Sequence, residues 1–270
     1  MAKIVDVARY AFNYQSVGNP AHFPILFLHG FMGDCHEFDT VISLLPNEFY
    51  CLAIDLPGHG KTKVTGAEDL YTMESTAQGI INFLDTLDIN QCILIGYSMG
   101  GRLALYLALH FPQYFHKVIL ESASPGLKSP EEKTHRIQTD LKLARELEND
   151  ALPSFLQRWY EKPLFASIRN HPDFSRMLAR RLQNNPVELS KSLRQLSTGY
   201  QPSLWGKLPE NSVPLLLIVG QLDEKFVNIN VEMFNSCKFS HLELVDNCGH
   251  TIHLENPSLF VQKISRHSLL

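Results

Sequence analysis

Gly96-Tyr97-Ser98-Met99-Gly100-Gly101 follows the apolar run Cys92 to Ile95 and leads straight into a segment of helical period. A G-x-S-x-G pattern between strand and helix forms a tight turn that lifts the serine hydroxyl clear of the sheet edge, and small flanking residues permit the strain. Such a hydroxyl becomes a nucleophile or base only when a histidine takes its proton and a carboxylate fixes the histidine tautomer, in the chain order serine, acid, histidine. Both partners are expected at the carboxyl ends of strands. Asp223 closes Gly220-Gln221-Leu222-Asp223 after the run Pro214 to Val219, and His250 closes Asp246-Asn247-Cys248-Gly249-His250 after Leu242 to Val245. Ser98, Asp223 and His250 are therefore the expected catalytic set, with His253, Asp246 and Glu224 as nearby competitors. His253, just ahead of the last helical pattern, suits packing or capping better.

Chemistry at a serine of this kind passes through an oxyanion or enolate that backbone amides must hold. The amide after the serine belongs to Met99, and the loop His29-Gly30-Phe31-Met32-Gly33 after an early apolar run nominates Phe31 for the second. Asp55-Leu56-Pro57-Gly58-His59-Gly60, after the next run, reads as structural. Arg102 lies four residues past Ser98, hence on the same helix face with Cβ atoms about 5–6 Å apart. A guanidinium beside a reactive serine is out of place for a neutral ester and suited to gripping a carboxylate through two hydrogen bonds. The competing reading is a structural ion pair at the helix flank.

The elements that must carry these residues are short apolar runs at 24–28, 49–54, 92–95, 118–120, 214–219 and 242–245, each bounded by turn residues. Runs apolar at nearly every position fit strands buried on both faces of a parallel sheet. Helix-period segments at 73–87, 99–110 and 257–265 alternate with them, so the fold class expected is α/β with a mostly parallel sheet flanked by helices. Between about 125 and 205 the strand signal stops, and four amphipathic helices are expected at 131–147, 151–160, 173–183 and 187–196. Residues 1–124 and 206–270 then form one discontinuous core, and 125–205 an inserted helical cap.

Composition sets outer limits. The 270 residues are 44% hydrophobic and 19% charged, enough for a sizeable core and contrary to disorder. A net charge of −4 offers no basic field for nucleic acid or anionic membranes. No signal-like or membrane-spanning run is present, so a cytoplasmic chain without membrane insertion is expected. Five cysteines without metal-ligand spacing read as reduced thiols, with no structural zinc or disulfide framework. Eight of the eleven arginines fall between residues 131 and 195, a stretch carrying +3 against −7 for everything else. The average conceals an acidic core and a basic insert.

Taken in order, HGFMG, DLPGHG, GYSMGG, GQLD and CGH resemble the α/β-hydrolase superfamily, whose motifs specify fold and triad but leave the substrate open. The insert narrows the match. Glu121 to Leu127, Glu131-Glu132 through Arg136 to Asp140, Phe155 to Tyr160 with Pro163-Leu164-Phe165, Arg181 to Pro186, and Thr198 to Trp205 closely resemble the 2-succinyl-6-hydroxy-2,4-cyclohexadiene-1-carboxylate synthase family of menaquinone and phylloquinone biosynthesis. Members remove pyruvate from 2-succinyl-5-enolpyruvyl-6-hydroxy-3-cyclohexene-1-carboxylate. The resemblance extends from about residue 23 to 260. It implies catalytic roles for Ser98, Asp223 and His250, and substrate contacts for Tyr97, Arg102, Arg136, Arg181, Trp159 and Tyr160, with Arg180 as a register alternative to Arg181. Since Trp159 and Tyr160 are adjacent on a helix, one is expected in the cap core and Tyr160 at the pocket. Arg145, Arg158, Arg169, Arg176 and Arg194 read as solvated or ion-paired. Departures are Lys133 where relatives often have arginine, the absence of a tryptophan in Asp34 to Phe38, and Cys248 for a smaller residue.

Residues and resemblance together imply a lyase acting on a small-molecule polycarboxylate by proton abstraction α to a carbonyl, with no metal and no organic cofactor. The alternatives are a carboxylesterase or carbon–carbon bond hydrolase for an anionic substrate, and a small-molecule receptor on the same scaffold.

Overall fold

The computed structural model describes residues 2–268. Nine strands form one sheet: β1 (Ala2–Val7), β2 (Tyr10–Val17), β3 (Phe23–Leu28), β4 (Phe49–Ile54), β5 (Lys63–Val64), β6 (Cys92–Tyr97), β7 (Phe115–Glu121), β8 (Leu215–Gly220) and β9 (Ser240–Val245). Their order is β1-β2-β4-β3-β6-β7-β8-β9, with β5 beside β2. From β4 to β9 every pairing is parallel, whereas β1, β2 and β5 make an antiparallel margin. The six apolar runs expected as strands are all there. β1 and β2 were not anticipated, because their polar and apolar residues mix without a run: Asn13 and Gln15 sit buried among Phe12 and Tyr14.

Alternate residues of the central strands feed two cores. Leu26, Leu28, Leu94, Val118, Leu120 and Leu217 face α2 (Met73–Thr86) and α3 (Met99–His110). Ile25, Phe27, Ile93, Ile95, Ile119 and Ile218 face α1 (Asp39–Leu44) and α10 (Pro257–Ser268). Burial on both faces is why these segments are apolar throughout.

Four helices lie between β7 and β8: α4 (Pro130–Asn149), α5 (Leu152–Tyr160), α6 (Phe174–Arg181) and α7 (Pro186–Gln195). Ser129 and Glu132 form a reciprocal capping box that starts α4, and the Asn185 side chain accepts from the Val187 and Glu188 amides to start α7. Their apolar faces gather Ala144, Leu147, Phe155, Leu156 and Leu189 around Met32 and Leu254, which come from loops of the sheet layer. The four helices are thus fastened by a third apolar cluster directly over the sheet's carboxyl edge. After β8 come α8 (Glu224–Ser236) and α9 (Ile252–Glu255). No helix among the described residues is long and apolar enough to cross a membrane.

Candidate active site

The sheet's winding reverses at β3, which has β4 on one side and β6 on the other. The crevice at such a reversal collects the loops leaving the strands' carboxyl ends. Ser98 stands between β6 and α3 with φ +49° and ψ −105°, a conformation its turn must enforce. Enforcement comes from close backbone approach: a Cβ on Gly100 would lie 2.3 Å from the Leu28 carbonyl oxygen, and the Gly100 amide donates to the His29 carbonyl at 3.1 Å. Glycine there lets the Ser98 turn and the loop after β3 touch. The Ser98 side chain caps no helix amide, so its hydroxyl is free for chemistry.

Asp223 is the N-cap of α8: one carboxylate oxygen accepts from the Phe226 amide at 3.4 Å, and the other faces His250 Nδ1 at 2.6 Å. The loop bearing His250 is tied at both ends to Glu255, whose carboxylate accepts from the Gly249 and Thr251 amides and the Thr251 hydroxyl. His250 Nε2 lies 3.0 Å from Ser98 Oγ. With Nδ1–H donating to Asp223, Nε2 is left to accept the serine proton. Asp246 and Glu224 are exposed and hold no part of this chain of contacts.

The Met99 amide opens α3 and Phe31 lies in the loop after β3; neither amide donates to another group among the described residues, and both residues border one cavity of about 290 Å³. Ser98, Tyr97, His250, Arg102, Arg136 and Arg181 border it too. So do both members of the aromatic pair: Trp159 packs on Phe31 with ring centroids 5.4 Å apart, and the Tyr160 hydroxyl accepts from Arg181 Nε at 3.2 Å. Tyr160, which packs in the third apolar cluster with Phe155 and Leu156, reaches the cavity as expected, and the less buried Trp159 borders it as well.

The arginines differ in what already holds them. Arg102 donates to Gln201 Oε1 at 2.7 Å and to the Leu196 carbonyl at 2.8 Å, both neutral acceptors. No carboxylate pairs with it among the described residues, which argues against the ion-pair reading, and burial together with Arg136 outweighs Asp140 and pulls its pKa down to about 9. An uncompensated cation in a cavity is a site for an anion. Arg136 is partly exposed and spends only Nε on Asp140, at 2.7 Å. Arg181 is another matter. It is fully buried, and its two terminal nitrogens meet the two oxygens of Glu37 at 2.5 Å. The family resemblance implied Arg181 as a cation available to substrate; the structure pairs it first with Glu37. Arg180 points away, to the His36 carbonyl, and does not border the cavity. Arg158, Arg176 and Arg194 pair with acidic neighbours on the surface.

Glu37 belongs to a longer buried chain. His253 sets Nε2 3.3 Å from Glu37 and Nδ1 2.8 Å from Glu121, at the end of β7. Its place is beneath the site and not in it, and it is an ion-pair centre where packing or capping was expected. Burial alone would lower its pKa, but Glu121 and Glu37 outweigh burial and raise it from 6.5 to about 9. Burial likewise opposes the charge on Glu37, yet Arg181 and His253 hold its carboxyl well below the usual range. A histidine pKa raised by folding stabilises the native state fully below about pH 6.5, and that contribution fades as pH rises through about 9. The shift corresponds to about 3 kcal/mol. Urea unfolding at two pH values, below 6.5 and above 9, is expected to show wild type losing up to about 3 kcal/mol more than His253→Gln. Equal losses in both proteins would show that the proton contributes nothing.

The five cysteines are buried free thiols, with Cys51 and Cys248 pushed up to about 12 by burial. Asp55 accepts from the Cys35 and Lys61 amides and from Asn13 Nδ2, which makes the DLPGHG segment a structural brace, as its sequence suggested.

Residues 24–257 match the α/β-hydrolase fold family. Over 264 residues the chain is 38% identical to a putative 2-succinyl-6-hydroxy-2,4-cyclohexadiene-1-carboxylate synthase of Bacillus subtilis, covering 97% of this chain and 95% of that protein. It is 31% identical over 252 residues to the 2-succinyl-6-hydroxy-2,4-cyclohexadiene-1-carboxylate synthase of Citrobacter koseri, covering 92% and 95%. The chain belongs to this synthase family. The solved structure of MenH from S. aureus superposes with a TM-score of 0.88 at 32% identity, covering 93% of this chain and 96% of that one. What sequence reasoning missed within this synthase fold is Glu37, whose only signal was an acidic residue in the loop after β3, and Lys162 and Lys225, which also border the cavity.

Proposed function

We propose that this chain eliminates pyruvate from 2-succinyl-5-enolpyruvyl-6-hydroxy-3-cyclohexene-1-carboxylate to give 2-succinyl-6-hydroxy-2,4-cyclohexadiene-1-carboxylate, as the names of its relatives indicate. The observation that carries the reading for this molecule is Arg102: a guanidinium without a carboxylate partner, one helical turn from a serine that already faces histidine and aspartate.

His250, held by Asp223, accepts the Ser98 proton as the serine oxygen removes the hydrogen α to the succinyl carbonyl. The C–H electron pair enters the conjugated system, the ring gains its second double bond, and the C–O bond to the enolpyruvyl arm breaks. Pyruvate leaves as its enolate and is protonated in tautomerising. The Phe31 and Met99 amides hold the negative charge that builds on the carbonyl oxygen. No acyl-enzyme forms, and the step needs no oxidant or reductant. Arg102 and Arg136 receive carboxylates, Arg181 is positioned at the cavity wall by Glu37, and Tyr97, Trp159 and Tyr160 shape the space around the ring. Residues 125–205 act as the cap over a core made of 1–124 and 206–270, in a cytoplasmic enzyme of a small polycarboxylate.

Incubation of the purified protein with the enolpyruvyl substrate tests this, with pyruvate followed by coupled lactate dehydrogenase. Stoichiometric pyruvate with the diene product is expected. No pyruvate, alongside rapid hydrolysis of simple aryl esters, would reassign the chain to ester hydrolysis.

A further inference from the structure

The substrate of the reaction proposed above carries three carboxylates, and the cations around the cavity are unequally available to them. Arg181 is engaged by Glu37 and Arg136 by Asp140, which leaves Arg102 as the one arginine of the three without an acidic partner. Two lysines also border the cavity, Lys162 and Lys225, and neither makes an ion pair or a side-chain hydrogen bond among the described residues. Lys225 is exposed at the start of α8. Lys162 is half-buried just past the end of α5, and its Nζ lies 3.7 Å from the centroid of the Trp159 ring. Trp159 in turn packs on Phe31, the residue whose amide faces the reacting oxygen in the mechanism above.

An ammonium set down on an indole face is directed by the ring that attracts it. Here it has been moved partly out of water, with that ring its one close partner among the described residues. Burial and the nearby Arg136 outweigh Asp140 and Glu146, which favour its charge, and lower its pKa. A cation in this condition gains more from an incoming anion than a solvated one, since most of its desolvation has already occurred.

We propose that Lys162 is a carboxylate subsite of the cavity, taking one of the three substrate carboxylates in the place that the family resemblance gave to Arg181. The inference rests on the tricarboxylate reading of the substrate, and it concerns a residue for which neither the Ser98 chemistry nor the arginine pattern has a use. Trp159 then does two things, lining the ring's compartment and presenting the ammonium to it.

The test uses the full-length enzyme, Lys162→Gln and Lys162→Arg. Binding of propane-1,2,3-tricarboxylate and of propane-1,3-dicarboxylate is followed by tryptophan fluorescence, Trp159 being one of two tryptophans in the chain. Wild type is expected to prefer the tricarboxylate. Lys162→Gln loses roughly 10- to 100-fold in tricarboxylate affinity with a smaller loss for the dicarboxylate, as removal of one charge-assisted contact requires. In turnover, KM for the enolpyruvyl substrate rises by a similar factor while kcat changes less, and Lys162→Arg recovers most of KM. An unchanged KM and an unchanged preference between the two probes in Lys162→Gln would overturn the proposal. A wild type that selects the tricarboxylate, with that preference lost in Lys162→Gln, yet releases no pyruvate would remove the reaction and leave the subsite standing.

Discussion

Pyruvate release by Ser98→Ala is expected to fall by about 10³- to 10⁴-fold, with KM nearly unchanged and the fold intact. The size follows from what is removed: a positioned base contributes typically 10²–10⁴ to a proton transfer, and no other side chain meets His250 Nε2 at hydrogen-bond distance among the described residues. Stability should change little, since Ser98 caps no helix and its unusual φ is imposed by neighbouring backbone, not by its hydroxyl. Single-turnover kinetics with mass spectrometry of the quenched wild-type enzyme adds a second reading. A base mechanism leaves the serine unmodified at every time point, and an acyl adduct accumulating on Ser98 would refute it. The same substitution therefore measures both the weight of the serine and the kind of work it does.

Arg102→Ala is expected to lower kcat/KM for the enolpyruvyl substrate by roughly 10²- to 10³-fold, the range for removing one partner of a desolvated charge pair. Part of any loss could arise from the fold, because Gln201 Oε1 and the Leu196 carbonyl would lose their donor, a cost of about 1–3 kcal/mol in stability. A neutral aryl ester separates the two effects. If Arg102 grips a carboxylate, ester hydrolysis falls far less than pyruvate release; if it only braces the segment bearing Leu196 and Gln201, both fall together. Arg102→Lys should recover little, since one ammonium cannot keep the two protein acceptors and also meet a carboxylate with paired donors.

The parts of the molecule that the sequence made legible are those governed by local rules. A strand buried on both faces must be apolar throughout, so β3, β4, β6, β7, β8 and β9 could be found as runs, and the residues that end them named Ser98, Asp223 and His250 before any geometry was known. The four helices between β7 and β8 were legible from their period. What escaped depends on pairings between distant positions. β2 buries Asn13 and Gln15, whose partners Asp55 and Asp39 lie some 20 to 40 residues on, so no window along the chain could mark them as interior. Arg181 and Lys162 show the same limit within the cavity. Residue type made Arg181 a ready cation, and only the position of Glu37, 144 residues earlier, shows it to be engaged. Lys162 was one charge among several in a basic insert until its place on the Trp159 ring set it apart.

The chain of contacts from Arg181 through Glu37 and His253 to Glu121 bears on how such proteins can diverge. It joins α6 in the insert to a loop after β3, to α9 and to the end of β7, four segments that are otherwise remote along the polypeptide. Loss of either end strands a buried charge, at about 3–5 kcal/mol for one partner of a buried pair. Neither position can drift alone, and an insert borrowed from a relative that lacks the arginine would arrive with Glu37 unanswered. An exchange between members of the fold then preserves stability only if it carries both halves of the contact, which ties the helical insert to the sheet beneath it although nothing in their connectivity requires it.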